Sequence, residues 1–149
     1  MHRSRNNDSC DRCVTDHGPD PFTVPIDQAV CRNSHFRTAL WTGCHLQLTL
    51  MCIPAGGEIG LERHPDTDQF LCLVSGNGLV KMGDCRDKAD LERQVCAKDA
   101  VFVPAGTWHN MINTGCEPLR LYSVYAPPQH PRGTVHRTKA AADAAEDSK

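Results

Sequence analysis

Residues 57–78 read GEIGLERHPDTDQFLCLVSGNG, and how this stretch is read decides the fold. Its second half, from Gln69 onward, alternates. Gln69, Leu71 and Leu73 point to one side of an extended chain, and Phe70, Cys72 and Val74 to the other. Pro-Asp-Thr turns the chain before it, and Gly-Asn-Gly after it reads as a tight hairpin with left-handed glycines. LVKMGD then pairs back. In the first half, Glu62 and His64 share one side of an extended chain while Arg63 points away. The segment is therefore two strands and a return, with a carboxylate and an imidazole brought to one face.

Working outward, the same signature recurs. Upstream, HLQLTLMCI sets Leu46, Leu48, Leu50 and Cys52 against Gln47, Thr49, Met51 and Ile53, a period of two, and Pro-Ala-Gly-Gly ends it. Downstream, residues 85–95 are charged and irregular, a loop or a short hairpin excursion. DAVFVPAGTWHNMINTG gives a strand, a Pro-Gly turn and another strand, and PLRLYSVYAPP gives the last. Many short strands with Gly and Pro between them, and no long helical pattern, indicate an all-β antiparallel sandwich or barrel. At 149 residues this is one domain. Residues 1–20 are expected as a flexible polar N-terminal arm, 21–137 as the barrel and 138–149, Ala-rich and uncapped, as a C-terminal tail.

If the Gln69 face is the barrel interior, Glu62, His64 and Gln69 converge there. His109, just after the Pro-Gly turn of PAGTWHNMIN, is a fourth candidate. Two imidazoles and a carboxylate form a facial set that suits Fe(II) and leaves coordination positions open. The competing reading makes Glu-Arg-His an ordinary exposed strand end.

These segments resemble the two motifs of the cupin superfamily. The first motif runs glycine, five residues, His-x-His, three or four residues, Glu, six residues, glycine. This chain has Gly56, five residues, Glu62-Arg63-His64, four residues, Gln69, six residues and Gly76. The second runs glycine, five residues, Pro-x-Gly, two residues, His, three residues, Asn. Here it is Lys98, five residues, Pro104-Ala105-Gly106, two residues, His109, three residues and Asn113. Every spacing fits, while Glu62, Gln69 and Lys98 depart in identity. The resemblance implies a cupin-type double-stranded β-helix, a jelly-roll barrel.

It also implies a divalent metal ion held by Glu62, His64, Gln69 and His109. Ligand charge is unchanged, because Glu62 supplies the carboxylate that Gln69 gives up. Carboxylate and amide oxygens beside two imidazoles make a harder set than three imidazoles, favouring Fe or Mn over Ni or Zn. Small single-domain cupins of this kind resemble the mannose-6-phosphate isomerase-like group. That implies isomerisation, with Glu62 as the base if it is not a ligand, or Fe(II)-dependent dioxygenation. A non-catalytic small-molecule binder is the alternative, and a homodimer is expected in each case.

Composition limits the partners. The net charge of −2 and the lack of a basic run point away from nucleic acid, and no apolar run approaches a membrane span. The N-terminus lacks the apolar segment of a signal peptide, so a cytoplasmic setting is expected. Nine cysteines are then read as thiols, with Cys52, Cys72 and Cys96 as small buried hydrophobes. Cys10 and Cys13, with His17 and Cys31 nearby, form too loose a set for zinc. Trp108 either lines the pocket mouth or packs. His45 reads as a satisfied polar residue, Asn113 as a turn tie, and Cys72 and Cys116 as thiols without an activating partner. Residues 126–136, with His130 and His136, form a Pro-rich arm that covers a pocket or lies as a surface tail.

Overall fold

The computed structural model describes residues 16–147. Its elements run α1 (Ile26–Arg32), β1 (Arg37–Thr42), β2 (Gln47–Ile53), β3 (Asp68–Ser75), β4 (Asn77–Gly83) and β5 (Leu91–Cys96). β6 (Ala100–Val103), β7 (Trp108–Asn113), β8 (Leu119–Ala126), β9 (Val135–His136) and α2 (Lys139–Asp147) follow. A six-stranded sheet, ordered β6-β3-β8-β2-β1-β9, faces a three-stranded sheet, ordered β5-β4-β7. All pairings are antiparallel. This is the double-stranded β-helix expected from the sequence.

The corner between the sheets corrects one expectation. β4 does not pair back on β3; it pairs with β5 and β7 in the other sheet. Gly76 is the hinge residue of that corner, at φ +98°, and a Cβ there would lie 2.9 Å from the Leu119 Cα. Only glycine meets both demands. Residues 85–95 take the hairpin alternative, with β5 returning along β4.

The core follows from strand alternation, with the faces of β2 reversed from what polarity alone would favour. Gln47, Thr49, Met51 and Ile53 are the fully buried inward set. Leu48 and Leu50 instead face outward, where Val30, Ile26 and Ala29 of α1 cover them in a second cluster. Inside the barrel, Met51, Ile53, Leu71, Leu73, Leu119 and Leu121 form an apolar cluster. Gln47, Thr49, Gln69, Ser123 and Tyr125 are buried on the same inward face. That polar band positions the site.

Both ends of the described segment fasten onto the barrel. Asp16, 2% exposed, accepts hydrogen bonds from Gly18 N, Thr42 Oγ1 and Gly133 N. Arg132 donates to the carbonyls of Asp16 and Gly18. The described end of the expected arm, residues 16–20, thus docks on the barrel; Cys10 and Cys13 lie outside the described residues. The Pro-rich segment folds back over its own barrel. Gln47 Oε1 accepts from the amides of Gln129 and His130, and Gln47 Nε2 donates to the His130 carbonyl. β9 then pairs with β1. The Ala-rich end is a helix, α2, whose Ala142 joins the barrel core.

Among the described cysteines, all of them thiols, Cys52 and Cys72 are half-buried but Cys96 is exposed, against expectation. β5 is an edge strand, so its outward side chains meet solvent.

Candidate metal centre

The segment carrying Glu62 and His64 is not a regular strand. Residues 57–64 are stitched to β7 by isolated bridges, Glu58 with Ile112 and Glu62 with His109. Glu62 and His109 exchange both main-chain hydrogen bonds, at 3.0 and 2.9 Å. Two residues paired this way lie directly opposite, so the backbone itself sets the carboxylate against the imidazole. Gly106 N donates to the His64 carbonyl and Arg63 Nε to the Gly106 carbonyl, which ties the two motifs together.

The side chains meet as the alternation requires. Glu62 Oε1 lies 3.4 Å from His64 Nε2 and 3.3 Å from His109 Nε2. One donor atom from each of the three residues falls within 4.8 Å of the others. Both histidines are buried, and Glu62 is half-buried. The His109 ring is held by its Nδ1, 2.9 Å from the Thr107 carbonyl, an acceptor that requires the proton on Nδ1. Its Nε2 is thereby turned inward and free to act as a ligand atom, the outer-shell arrangement that ligating histidines use. Burial pushes the Glu62 carboxyl up, but hydrogen bonds and charge from His109 and His64 outweigh that and hold it far below the usual carboxylate range.

A divalent cation fits this donor set. The Nε2 atoms of His64 and His109 are buried and face no group but the Glu62 carboxylate, while Gln69 Oε1 is buried without a hydrogen-bond partner. Buried polar atoms ordinarily find partners, and these three are metal-ligand atom types. Gln69 lies on β3, paired with Tyr125, with its Nε2 donating to Ser123 Oγ at 2.8 Å. That bond leaves the amide oxygen unspent. The structure brings Glu62, His64 and His109 together and puts Gln69 on the inward face of the facing sheet.

Other sequence readings resolve more simply. Trp108 is on the face of β7 opposite His109, where it lies under the Arg86 guanidinium at 5.7 Å. It lines a separate cavity of ≈ 420 Å³, not the mouth over the metal donors. His45 is exposed. Asn113 is a tie, donating to the carbonyls of Ile53 and Glu117 and accepting from Gly115 N.

Over the donors opens a pocket of ≈ 660 Å³ that includes Arg37, Glu62, His64, His130 and, from α2, Lys139. Sequence reasoning missed Arg37 and placed His130 without a role. The available signal was a charged residue set in the strand-like run FRTALW, where an inward position needs a reason.

With this geometry in hand, the family is settled by the match of residues 49–125 to the model described as Cupin domain. The chain belongs to the cupin family. It is 59% identical over 134 residues to the uncharacterized protein YrkC of Bacillus subtilis (strain 168), covering 90% of this chain and 72% of that protein. It is 33% identical over 116 residues to the uncharacterized protein L612 of Acanthamoeba polyphaga mimivirus, covering 76% of this cupin and 70% of the relative. A crystal structure of a Bacillus halodurans protein superposes with a TM-score of 0.86 at 58% identity, covering 87% of this chain and 98% of that one. None of these likenesses narrows this cupin to the mannose-6-phosphate isomerase-like group. No described helix is long and apolar enough to cross a membrane.

Proposed function

We propose that this cupin is a divalent-cation-dependent enzyme of the cytoplasm, working as a homodimer on a small polar molecule by isomerase-like proton transfer. One observation carries the reading: three donor atoms within 4.8 Å, two of them buried Nε2 atoms whose shared neighbour is the third, the Glu62 carboxylate. Glu62, His64 and His109 would hold the ion, with the Gln69 oxygen as fourth donor. Bound there, the ion supplies Lewis-acid polarisation of a carbonyl or hydroxyl. The harder donor set favours Fe or Mn, with Ni or Zn next.

The chain's own groups do the rest. In the alternative in which His64, His109 and Gln69 hold the ion without Glu62, the ionised Glu62 is the base. It takes the proton from the hydroxyl-bearing carbon beside the polarised carbonyl and returns it to the carbonyl carbon, while the hydroxyl proton passes to the carbonyl oxygen. The substrate leaves as its isomer, with no net change in oxidation. The Thr107 carbonyl holds the His109 ring in its orientation.

A second reading has its own support. Two histidines and one carboxylate with open positions also suit an Fe(II) dioxygenase. Metal analysis of protein purified without chelator, followed by thermal melts with added Fe, Mn, Ni and Zn, tests both. We expect bound metal and a raised Tm in the wild type, and no metal-induced rise in Glu62→Ala or His109→Ala. A folded protein that gains nothing from any of the four metals sinks the proposal. Oxygen uptake on addition of Fe(II) and substrate separates the dioxygenase from the isomerase.

A further inference from the structure

Arg37 occupies a position where an arginine is costly. Its register partner across the sheet is Met51, a core residue, so its side chain enters the barrel with the inward set. It is 4% exposed. Its Nη1 lies 3.1 Å from His136 Nδ1, and its guanidinium sits 5.3 Å from the Phe36 ring. Its Nε is buried with no partner. No carboxylate among the described residues forms an ion pair with it. A buried, uncompensated charge is strongly disfavoured, so a fold that retains one leaves the counter-charge to come from elsewhere.

The neighbours of Arg37 lead back to the metal donors. His136, bonded to Arg37, is 6.3 Å from His130 between ring centroids. His130 meets the edge of Tyr125 at 5.1 Å, and Tyr125 meets His64 at 5.8 Å. His130 Nε2 and Tyr125 Oη are both buried without hydrogen-bond partners. Burial and the Arg37 charge push the His130 imidazole down to about 3, so it is neutral, and burial holds the Tyr125 phenol above its usual range. Arg37 is therefore the fixed positive charge of this row. Arg37, His130, Glu62 and His64 line the same pocket of ≈ 660 Å³, a volume suited to a small metabolite.

We propose, resting on the metal-centre reading, that this pocket takes a carboxylic acid bearing a hydroxyl or keto group, with Arg37 binding its carboxylate. The guanidinium fork offers Nε and a second N–H to the two carboxylate oxygens, the bidentate geometry that arginine provides and lysine does not. His130 Nε2 lies beside it for a further polar group of the acid. The hydroxyl or keto oxygen then points along the Tyr125 edge toward Glu62 and His64. A neutral sugar of the same size would leave the guanidinium unanswered and is excluded on that ground.

The test compares matched probes on the metal-loaded wild type by thermal shift and calorimetry. D-gluconate, 2-oxoglutarate and malate form one arm, and D-sorbitol and D-glucose the other. We expect binding in the acid arm only, weakened roughly tenfold to a hundredfold by Arg37→Met. The metal-induced rise in Tm should persist in Arg37→Met, because Arg37 is not a ligand. The ligand-free Tm of Arg37→Met should hold or rise, which a merely structural arginine would not allow. Arg37→Lys, which keeps the charge, should retain part of the acid binding and covers the case of a misfolded Met variant. Equal binding of acid and polyol, no acid binding, or full acid affinity in Arg37→Met overturns the inference. Loss of the metal-induced shift in the wild type overturns the underlying metal reading instead.

Discussion

Single residues show where the family pattern is a matter of backbone geometry and where it is chemistry. Lys98 stands at the glycine position of the second motif, and it adopts φ +75°. The position therefore asks for the left-handed region, which costs a lysine roughly 1–2 kcal/mol. Glycine removes that strain but gains roughly 0.5–1 kcal/mol of freedom in the unfolded chain. Lys98→Gly should stabilise the protein by a net ~0.5–1 kcal/mol in urea melts. His130 makes a pH prediction. Its folded pKa, about 3, lies below the ordinary 6.5, so the unfolded chain binds the proton first. Stability from this group is present above pH 6.5 and is lost as pH falls from there toward 3, by up to ~1.4 kcal/mol per pH unit. His130→Phe, in metal-free protein without ligand, should flatten that part of the stability-against-pH curve. The ligand positions were legible in the sequence because strand alternation and motif spacing fix them locally. Arg37 and His130 were not, because their meeting depends on β1 and β9 pairing across about a hundred residues of chain.

At the level of elements, the sequence marks strands well and their partners poorly. Alternation locates β2, β3, β6, β7 and β8, but says nothing about Gly76 sending the chain into the other sheet. Residues 57–64 alternate like a strand, yet they form isolated bridges with β7 instead of a full ladder, and Gly60 N donates to the Asn110 side chain rather than to a main-chain carbonyl. α1 escaped notice because its seven residues carry too little periodicity to register. The strap between the chain ends yields a test. Asp16 takes three donors, from Gly18, Thr42 and Gly133. Burial pushes its carboxyl up, but those hydrogen bonds and Arg132 hold it below the usual range. Asp16→Ala strands these donors and should cost about 2–3 kcal/mol. Hydrogen exchange should quicken first at residues 129–136, before the barrel strands respond.

For the whole molecule, the most exposed large hydrophobic side chain among the described residues is that of Phe102. Phe102 is 68% exposed on the edge strand β6 and packs on Phe70, which in turn neighbours Tyr122. In the proposed homodimer this outer face would form the contact, and Phe102→Asp should then shift sedimentation from dimer to monomer while leaving the metal-induced Tm rise intact. The barrel also divides its labour along the chain. Glu62, His64, Gln69 and His109 all fall within residues 49–125, the span that defines the family. Arg37 on β1, Gln47 at the start of β2 and His130 in the segment that folds back on the barrel lie outside it. On the two proposals above, reactivity would sit in the span that matches the family and substrate choice in the segments that flank it. A barrel built this way would let the flanking segments be exchanged to alter what binds, with the metal donors left in place.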